Sequence, residues 1–403
     1  MLHPYVKQIS AYVLPRFAYQ YVDRIDRSPL GSRLAHGAFW SVAGATLARL
    51  LGLASSIIIA RFLGKEEFGV LGILYSTISM FQLFAGFGIG MTGVKYVAEY
   101  KQKDPLKAGR IIALSYIIAL SAGIFGAAIL AIFAEPIAAK TLNAPHLGNL
   151  LRISSLTILA GAINGAQTGA LAGFEAFKGL ARISVLVGIL TFPITVGGVY
   201  LAGTAGVVWG MVITMLLNVI FNNVSLQREM NRHGISCTFS QCFDEVKVLW
   251  SFSVPALLES TMVTPINWAC SAILVNQENG YAEMGVFNAA NQWFGALLFL
   301  PQSAGQTVLP LLSERFGFSD TKSSIKILSF SMMINALLLF PVVIALCLLS
   351  PLVMASYGDG FREGWATLVV VAITAGLVGI QIPVGHVIGA SGRMWLGFFM
   401  NLG

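Results

Sequence analysis

The sequence predicts an all-α polytopic membrane protein, arranged as two six-helix lobes in a parallel repeat around a central cavity. Three observations predict it. Of 403 residues, 56% are hydrophobic and only 11% are charged, whereas a soluble domain carries about 25% charged residues. Apolar stretches of about 20 residues, enough to cross a bilayer as a helix, recur along the whole chain between short polar joints. Lipid offers no partner to a free backbone N–H or C=O, so every crossing has to be helical.

The elements follow in order. Residues 1–36 are a charged, aromatic cytoplasmic lead without the apolar core of a signal peptide. Within it Tyr5, Ile9, Val13, Phe17 and Tyr21 recur four apart. That spacing fits a helix lying flat on the inner leaflet, weakened by Pro15, and it fits an unstructured lead equally. Spans at 37–60, 68–92, 111–133, 149–172, 183–202 and 206–226 make an N-terminal lobe, 37–226. The longest polar joint, 227–248, divides the chain. Spans at 249–274, 285–308, 326–350, 364–388 and 394 onward make a C-terminal lobe, 249–403, for about eleven spans in all. The sequence ends at Gly403, a few residues into the eleventh, so this lobe is expected to be incomplete. The halves echo each other weakly. Phe39-Trp40-Ser41 is answered by Leu249-Trp250-Ser251, and Gly69-Val70 by Gly285-Val286; the same step from each Trp lands on Arg49 and on Glu259. Such a repeat places a transporter's binding site near the midplane between the lobes.

The net charge of +7 is not a nucleic-acid signature, because of where the charges fall. Lys95, Lys101, Lys103, Lys107 and Arg110 crowd one joint, and Lys7, Arg16, Arg24, Arg27 and Arg33 precede the first span. Further basic residues occupy alternate joints: Lys178 and Arg182, then Arg228, Arg232 and Lys247, then Arg315, Lys322 and Lys326. The joints between these hold few. This alternation puts the N-terminus and the basic joints in the cytoplasm.

Arg49 is the only charge between Gly37 and Ala60. An arginine near the midplane costs about 2.5–3.5 kcal/mol on insertion scales, so it is seldom there without a use. Its forked, permanently protonated guanidinium suits carboxylate or phosphate oxygens, which points to an anionic group handled inside the membrane. On the eighth span Asn288, Asn291, Gln292, Gly295, Gln302 and Gln306 fall within an arc of about 100°. Carboxamides facing lipid are costly, so this stripe meets protein or water. One reading is inter-helical hydrogen bonding, worth about 0.6 kcal/mol per contact; the other, favoured by the length of the stripe, is a cavity wall that binds hydroxyl-rich cargo. On the seventh span Ser253, Ser260, Thr264, Asn267 and Ser271 share a narrow arc, broken by Pro255 and Pro265, with Glu259 beside it. Glu259 is either a proton or cation site or a permanently protonated packing residue. Asn164, Gln167 and Thr168 form a smaller polar patch on the fourth span, equally compatible with helix contact.

Other motifs carry less. Gly86, Gly88, Gly90 and Gly93 follow no strand and read as close helix contact rather than a nucleotide loop. Cys237, Cys242, Cys270 and Cys347 form no paired framework, and a metal site at Cys237, Cys242 and His233 lacks a fourth ligand. No Walker motif, HExxH or nucleophile elbow is present, and the joints are too short and too poor in acids and histidines for a membrane-embedded transferase. No cofactor is implied beyond proton or sodium coupling through Glu259.

Three stretches carry a family resemblance. ARLLGLASSIIIARFLGKEEFGVLGILYS (Ala48 to Ser76) resembles the first hairpin of bacterial oligosaccharide flippases, of the multidrug/oligosaccharidyl-lipid/polysaccharide exporter superfamily. GVKYVAEYK (Gly93 to Lys101) resembles the end of their second helix, and LAGFEAFKGLARIS (Leu171 to Ser184) their joint between helices four and five. The resemblance implies alternating access in the bacterial inner membrane. The implied cargo is an undecaprenyl-diphosphate-linked oligosaccharide, turned to the outer leaflet for O-antigen-type polysaccharide, with polymerase and ligase machinery as partners. Arg49 matches a cavity-facing arginine of the related lipid II flippases, but their next arginine–aspartate pair is Ser55 and Ser56 here, which disfavours lipid II. The runner-up is a cation-coupled multidrug antiporter of the same superfamily, whose cargo would give Arg49 no purpose.

Overall fold

A computed structural model describes residues 29–86, 89–239, 241–246, 263–317 and 321–390. Helix α1 (Pro29–Gly86) is broken at Gly64, where φ is 76°. It is followed by α2 (Ile89–Lys103), α3 (Pro105–Ile132), α4 (Gly148–Gly173) and α5 (Phe177–Arg232), the last broken at Ala202 and Gly203. After the inter-lobe joint come α6 (Val263–Val275), α7 (Gly280–Gly317), α8 (Thr321–Leu348) and α9 (Trp365–Ala390), with the short helix Ser350–Ala355 between the last two. Among the described residues there is no strand.

Both helix breaks fall in joints that hydropathy predicts, at 60–68 and 202–206. The helices overrun their apolar cores: the third starts at Pro105 rather than 111, the eighth runs from Gly280 rather than 285, and the first begins at Pro29 inside the predicted lead. Hydropathy marks only the lipid-buried portion, while backbone hydrogen bonding continues through the interface to a stop or cap. On α3 that cap is Asp104, whose carboxylate accepts from Lys107 N at 3.0 Å, with Pro105 in the first turn. The amphipathic stretch from Tyr5 to Tyr21, most of the seventh span with Glu259, and the eleventh span lie outside the described residues.

The helices form two sets. α1 to α5 contact one another, α7 to α9 do the same, and α1 is the wall that α6 and α7 share with the first set. Inside the first set, Gly90 and Gly93 of α2 lie against Gly165 and Gly169 of α4; close helix contact is the use of that glycine run. Several buried hydroxyls are satisfied within their own helices, as in Thr77 to Ile73 O and Ser115 to Ile111 O, both 2.8 Å. Large apolar side chains such as Phe125, Ile132, Leu201 and Leu348 are left facing outward, as a lipid-facing surface requires.

Charge sorts the two ends. At one end Lys101 Nζ meets Glu175 Oε1 at 2.7 Å and Gly173 O at 3.3 Å, and Arg110 Nη2 donates to Gln241 Oε1 at 3.0 Å. Lys107 and Glu245 pair there at 3.7 Å. The basic joints near 101–110, 174–182 and 228–246 therefore gather together. At the other end, that of Gly64, the joints with few basic residues meet: Asn276 Nδ2 donates to Thr141 O at 2.7 Å, Tyr281 OH to Leu142 O at 2.8 Å, and Arg61 Nε to Ser356 O at 2.6 Å.

Candidate functional site at the seam between the two helix sets

The first arm of α1 divides its faces between the two sets. Ala48 sits against Gly188 of α5, and one turn-pair later Ser55 Oγ is 2.7 Å from Thr195 Oγ1 of the same helix. Arg49 and Ser56 are each one residue further on, rotated by about 100°, and they face the second set. The guanidinium of Arg49 lies across Gly295 of α7, so that a Cβ on residue 295 would coincide with Nη2. Glycine in a helix interior is worth about 0.8–1.0 kcal/mol less than alanine; here it leaves room for a cation reaching over from α1. Arg49 is exposed despite its midhelix position, and it forms no hydrogen bond or ion pair with any described residue. An arginine in a membrane span ordinarily pairs with an acid or a carbonyl. This one is held by shape and left open at its donors.

The eighth-span stripe is distributed along α7. Asn291 and Gln302 are exposed and Gln292 is half-buried, on the helix that carries Gly295. Asn288 is buried; its Nδ2 donates to Phe68 O at 3.3 Å and its Cβ abuts Gly72. Its amide thus joins the two sets at the seam. Gln306 is helical, and its side chain is outside the described residues, as is Glu259. Asn267 is exposed on α6; Ser271 Oγ donates to its backbone carbonyl at 2.8 Å and lies 3.4 Å from Ser76 Oγ. Nearby Trp268 Nε1 donates to Thr77 Oγ1 at 3.1 Å, adding a second tie between α6 and α1. The fourth-span patch turns into the first set instead: Asn222 Nδ2 donates to Asn164 Oδ1 at 2.7 Å.

Several residues here escape sequence reasoning. Gly69 and Gly285 stand out in the sequence only as an echo between halves, yet they bring α1 and α7 together backbone against backbone. Ser56 has the seven-residue spacing from Arg49 that puts both on one face, a signal that hydropathy does not register. Trp293 and Tyr357 read as ordinary apolar aromatics, and only the burial of their polar atoms singles them out.

Comparison with known proteins places this geometry in context. The family model for polysaccharide biosynthesis proteins matches residues 34–316. The EPS I polysaccharide export inner membrane protein EpsE of Ralstonia nicotianae is 21% identical over 353 residues, covering 86% of this chain and 78% of the relative. A putative O-antigen transporter of Shigella flexneri is 24% identical over 337 residues, covering 80% and 76%. The inward-facing structure of a multidrug resistance MATE family transporter of the MOP superfamily superimposes with a TM-score of 0.68 at 14% identity, covering 88% of this chain and 83% of that one. That likeness identifies the fold. On the extent of the family match, this all-helical membrane chain belongs to the polysaccharide biosynthesis protein family.

Proposed function

We propose that the protein flips a polyprenyl-diphosphate-linked oligosaccharide from the cytoplasmic to the outer leaflet of a bacterial inner membrane, by alternating access between its two helix sets. The observation that carries this reading is Arg49: a forked cation inside the membrane, lying over Gly295 between the sets, with no partner among the described residues. A diphosphate would take its free donors as a bidentate pair. Asn291, Gln292 and Gln302 would replace water at sugar hydroxyls, together with Asn267 and Gln306. Unpaired ions and hydroxyls cost several kcal/mol each in hydrocarbon, so cargo needs these groups on its way, while its prenyl tail stays in lipid.

The sorting of joints supports a cytoplasmic N-terminus and basic end, with the Gly64 end outermost. Under that orientation the contacts at the Gly64 end form a closed outer gate. An inside-negative potential assists an outgoing anion by about 2.3 kcal/mol per charge per 100 mV, so proton or sodium coupling through Glu259 is not required. The export relatives support the class of cargo, and polymerase and ligase machinery would take it up on the far side. The fold is shared with multidrug transporters, but an unpaired arginine repels an organic cation.

Arg49→Ala and Arg49→Lys test the reading in a deletion strain, with surface polysaccharide measured at matched membrane protein level. Arg49→Ala should abolish polysaccharide without lowering the protein, since it makes the span more apolar. Arg49→Lys should recover only part, because an ammonium lacks the forked fit. Normal polysaccharide from Arg49→Ala would remove the anion site, and loss of protein together with polysaccharide would make Arg49 structural.

A further inference from the structure

Three polar atoms meet at the seam without partners. Ser56 Oγ on α1, Trp293 Nε1 on α7 and Tyr357 Oη after the Ser350–Ala355 helix are all buried, and none makes a well-formed hydrogen bond. Tyr357 Oη lies beside the other two. Tyr357 is wholly buried and Ser56 is 8% exposed. The cluster spans both helix sets and shares a helix face with Arg49, about 10 Å further toward the Gly64 end. The Tyr357 ring packs with those of Phe68 and Phe361, Phe68 lying 6.2 Å from Tyr357 and 5.9 Å from Phe361 between centroids.

Buried polar groups left unpaired weigh against the state that buries them. Here they weigh only on the joined state, because their burial depends on both sets being in contact. We propose that Ser56, Trp293 and Tyr357 form a hydroxyl-binding subsite that opens as the sets part at the Gly64 end and receives a sugar hydroxyl of the cargo. This rests on the transport reading above. The indole N–H only donates, and the two hydroxyls donate and accept. A sugar hydroxyl can therefore accept from the indole and one hydroxyl while donating to the other. The three groups carry no charge, so a phosphate has its counter-ion at Arg49 and none here. The spacing separates the two roles: an anion contact at Arg49 and hydroxyl contacts two helical turns outward.

The test uses full-length protein in nanodiscs, without native cysteines, carrying spin labels at Asn143→Cys and Asp359→Cys. Both positions are exposed, one on each helix set. Pulsed distance measurements are made alone, with undecaprenyl diphosphate, and with an undecaprenyl-diphosphate-linked disaccharide. The sugar-bearing lipid should raise the parted population severalfold beyond the bare lipid. Tyr357→Phe and Ser56→Ala each remove one unpartnered atom and nearly preserve shape. Each should lower the parted population about tenfold, erase the difference between the two lipids, and leave the unfolding temperature equal or higher. Equal response to the two lipids in the unsubstituted protein would overturn the subsite while leaving the diphosphate reading intact. Response to neither lipid would overturn both. A parted population that rises in Tyr357→Phe would make the cluster a clasp and overturn the proposal.

Discussion

Gly69 of α1 and Gly285 of α7 are seated reciprocally: each occupies the place above the carbonyl oxygen four residues before the other, Gly69 on Tyr281 O and Gly285 on Lys65 O. A Cβ on Gly69 would lie 2.9 Å from Gly285 N, and one on Gly285 would lie 3.2 Å from Gly69 N. This local two-fold relation joins the same dipeptide, Gly-Val, from each half of the chain. The obstruction is backbone on both sides, so no side-chain movement relieves it. Gly69→Ala and Gly285→Ala should each push the helices apart at a cost of about 1–3 kcal/mol, seen as a lower unfolding temperature in detergent. Once parted, the second substitution finds room, so the double variant should cost less than the sum. Neutral single variants would contradict the close approach.

Gly295 should behave as a positioning residue for Arg49. Gly295→Leu fills the space under the guanidinium and should cut polysaccharide output about as deeply as Arg49→Ala. Added to Arg49→Ala, it should change nothing further, because the group it displaces is already gone. The check is a double-mutant cycle on polysaccharide yield at matched protein level. Independent, additive losses would separate the two residues.

The charge-sorted ends give a topology that labelling can read. Single cysteines at Asn143, Asn279 and Asp359, all exposed, should react with impermeant thiol reagents in intact spheroplasts. A cysteine at Lys101 should react only after lysis. The reverse pattern would invert the assignment of the gate.

Among native thiols, Cys237 should be slow. Burial first, then the neighbouring Cys242, push its pKa above the ordinary thiol value. Only the thiolate reacts, so alkylation by iodoacetamide should be well below that of a free thiol at pH 7.5. Its rate should keep climbing about tenfold per pH unit past the point where a free thiol levels off. A plateau at the free-thiol pH would show that the joint leaves Cys237 solvated.

Hydropathy sees what lipid sees, and so the apolar cores of the described helices and the placement of both α1 and α5 breaks were legible, whereas the joint expected at 92–111 is helical as far as Lys103. Arg49 was legible for the same reason, as a charge that lipid should have excluded. What lies between helices was less so. The periodicity of Asn288 and Asn291 is the same, yet Asn288 is buried against α1 and Asn291 is exposed. The difference is set by Gly72 and Phe68 on another helix, about which the local pattern holds no information. Ser55 and Ser56 make the point at closer range. Adjacent and identical, they face different helix sets, since one residue of helix is a rotation of about 100°.

The bonds that join the sets at the Gly64 end have a common form. Arg61, Asn276, Tyr281 and Asn288 donate from side chains, and Ser356, Thr141, Leu142 and Phe68 accept through main-chain oxygens. Every residue type offers that oxygen, so the accepting loops are free to drift in composition while the bonds persist. The donors have no such latitude. Divergence among descendants of this chain should therefore be lopsided, with four side chains held constant opposite surfaces whose identities turn over.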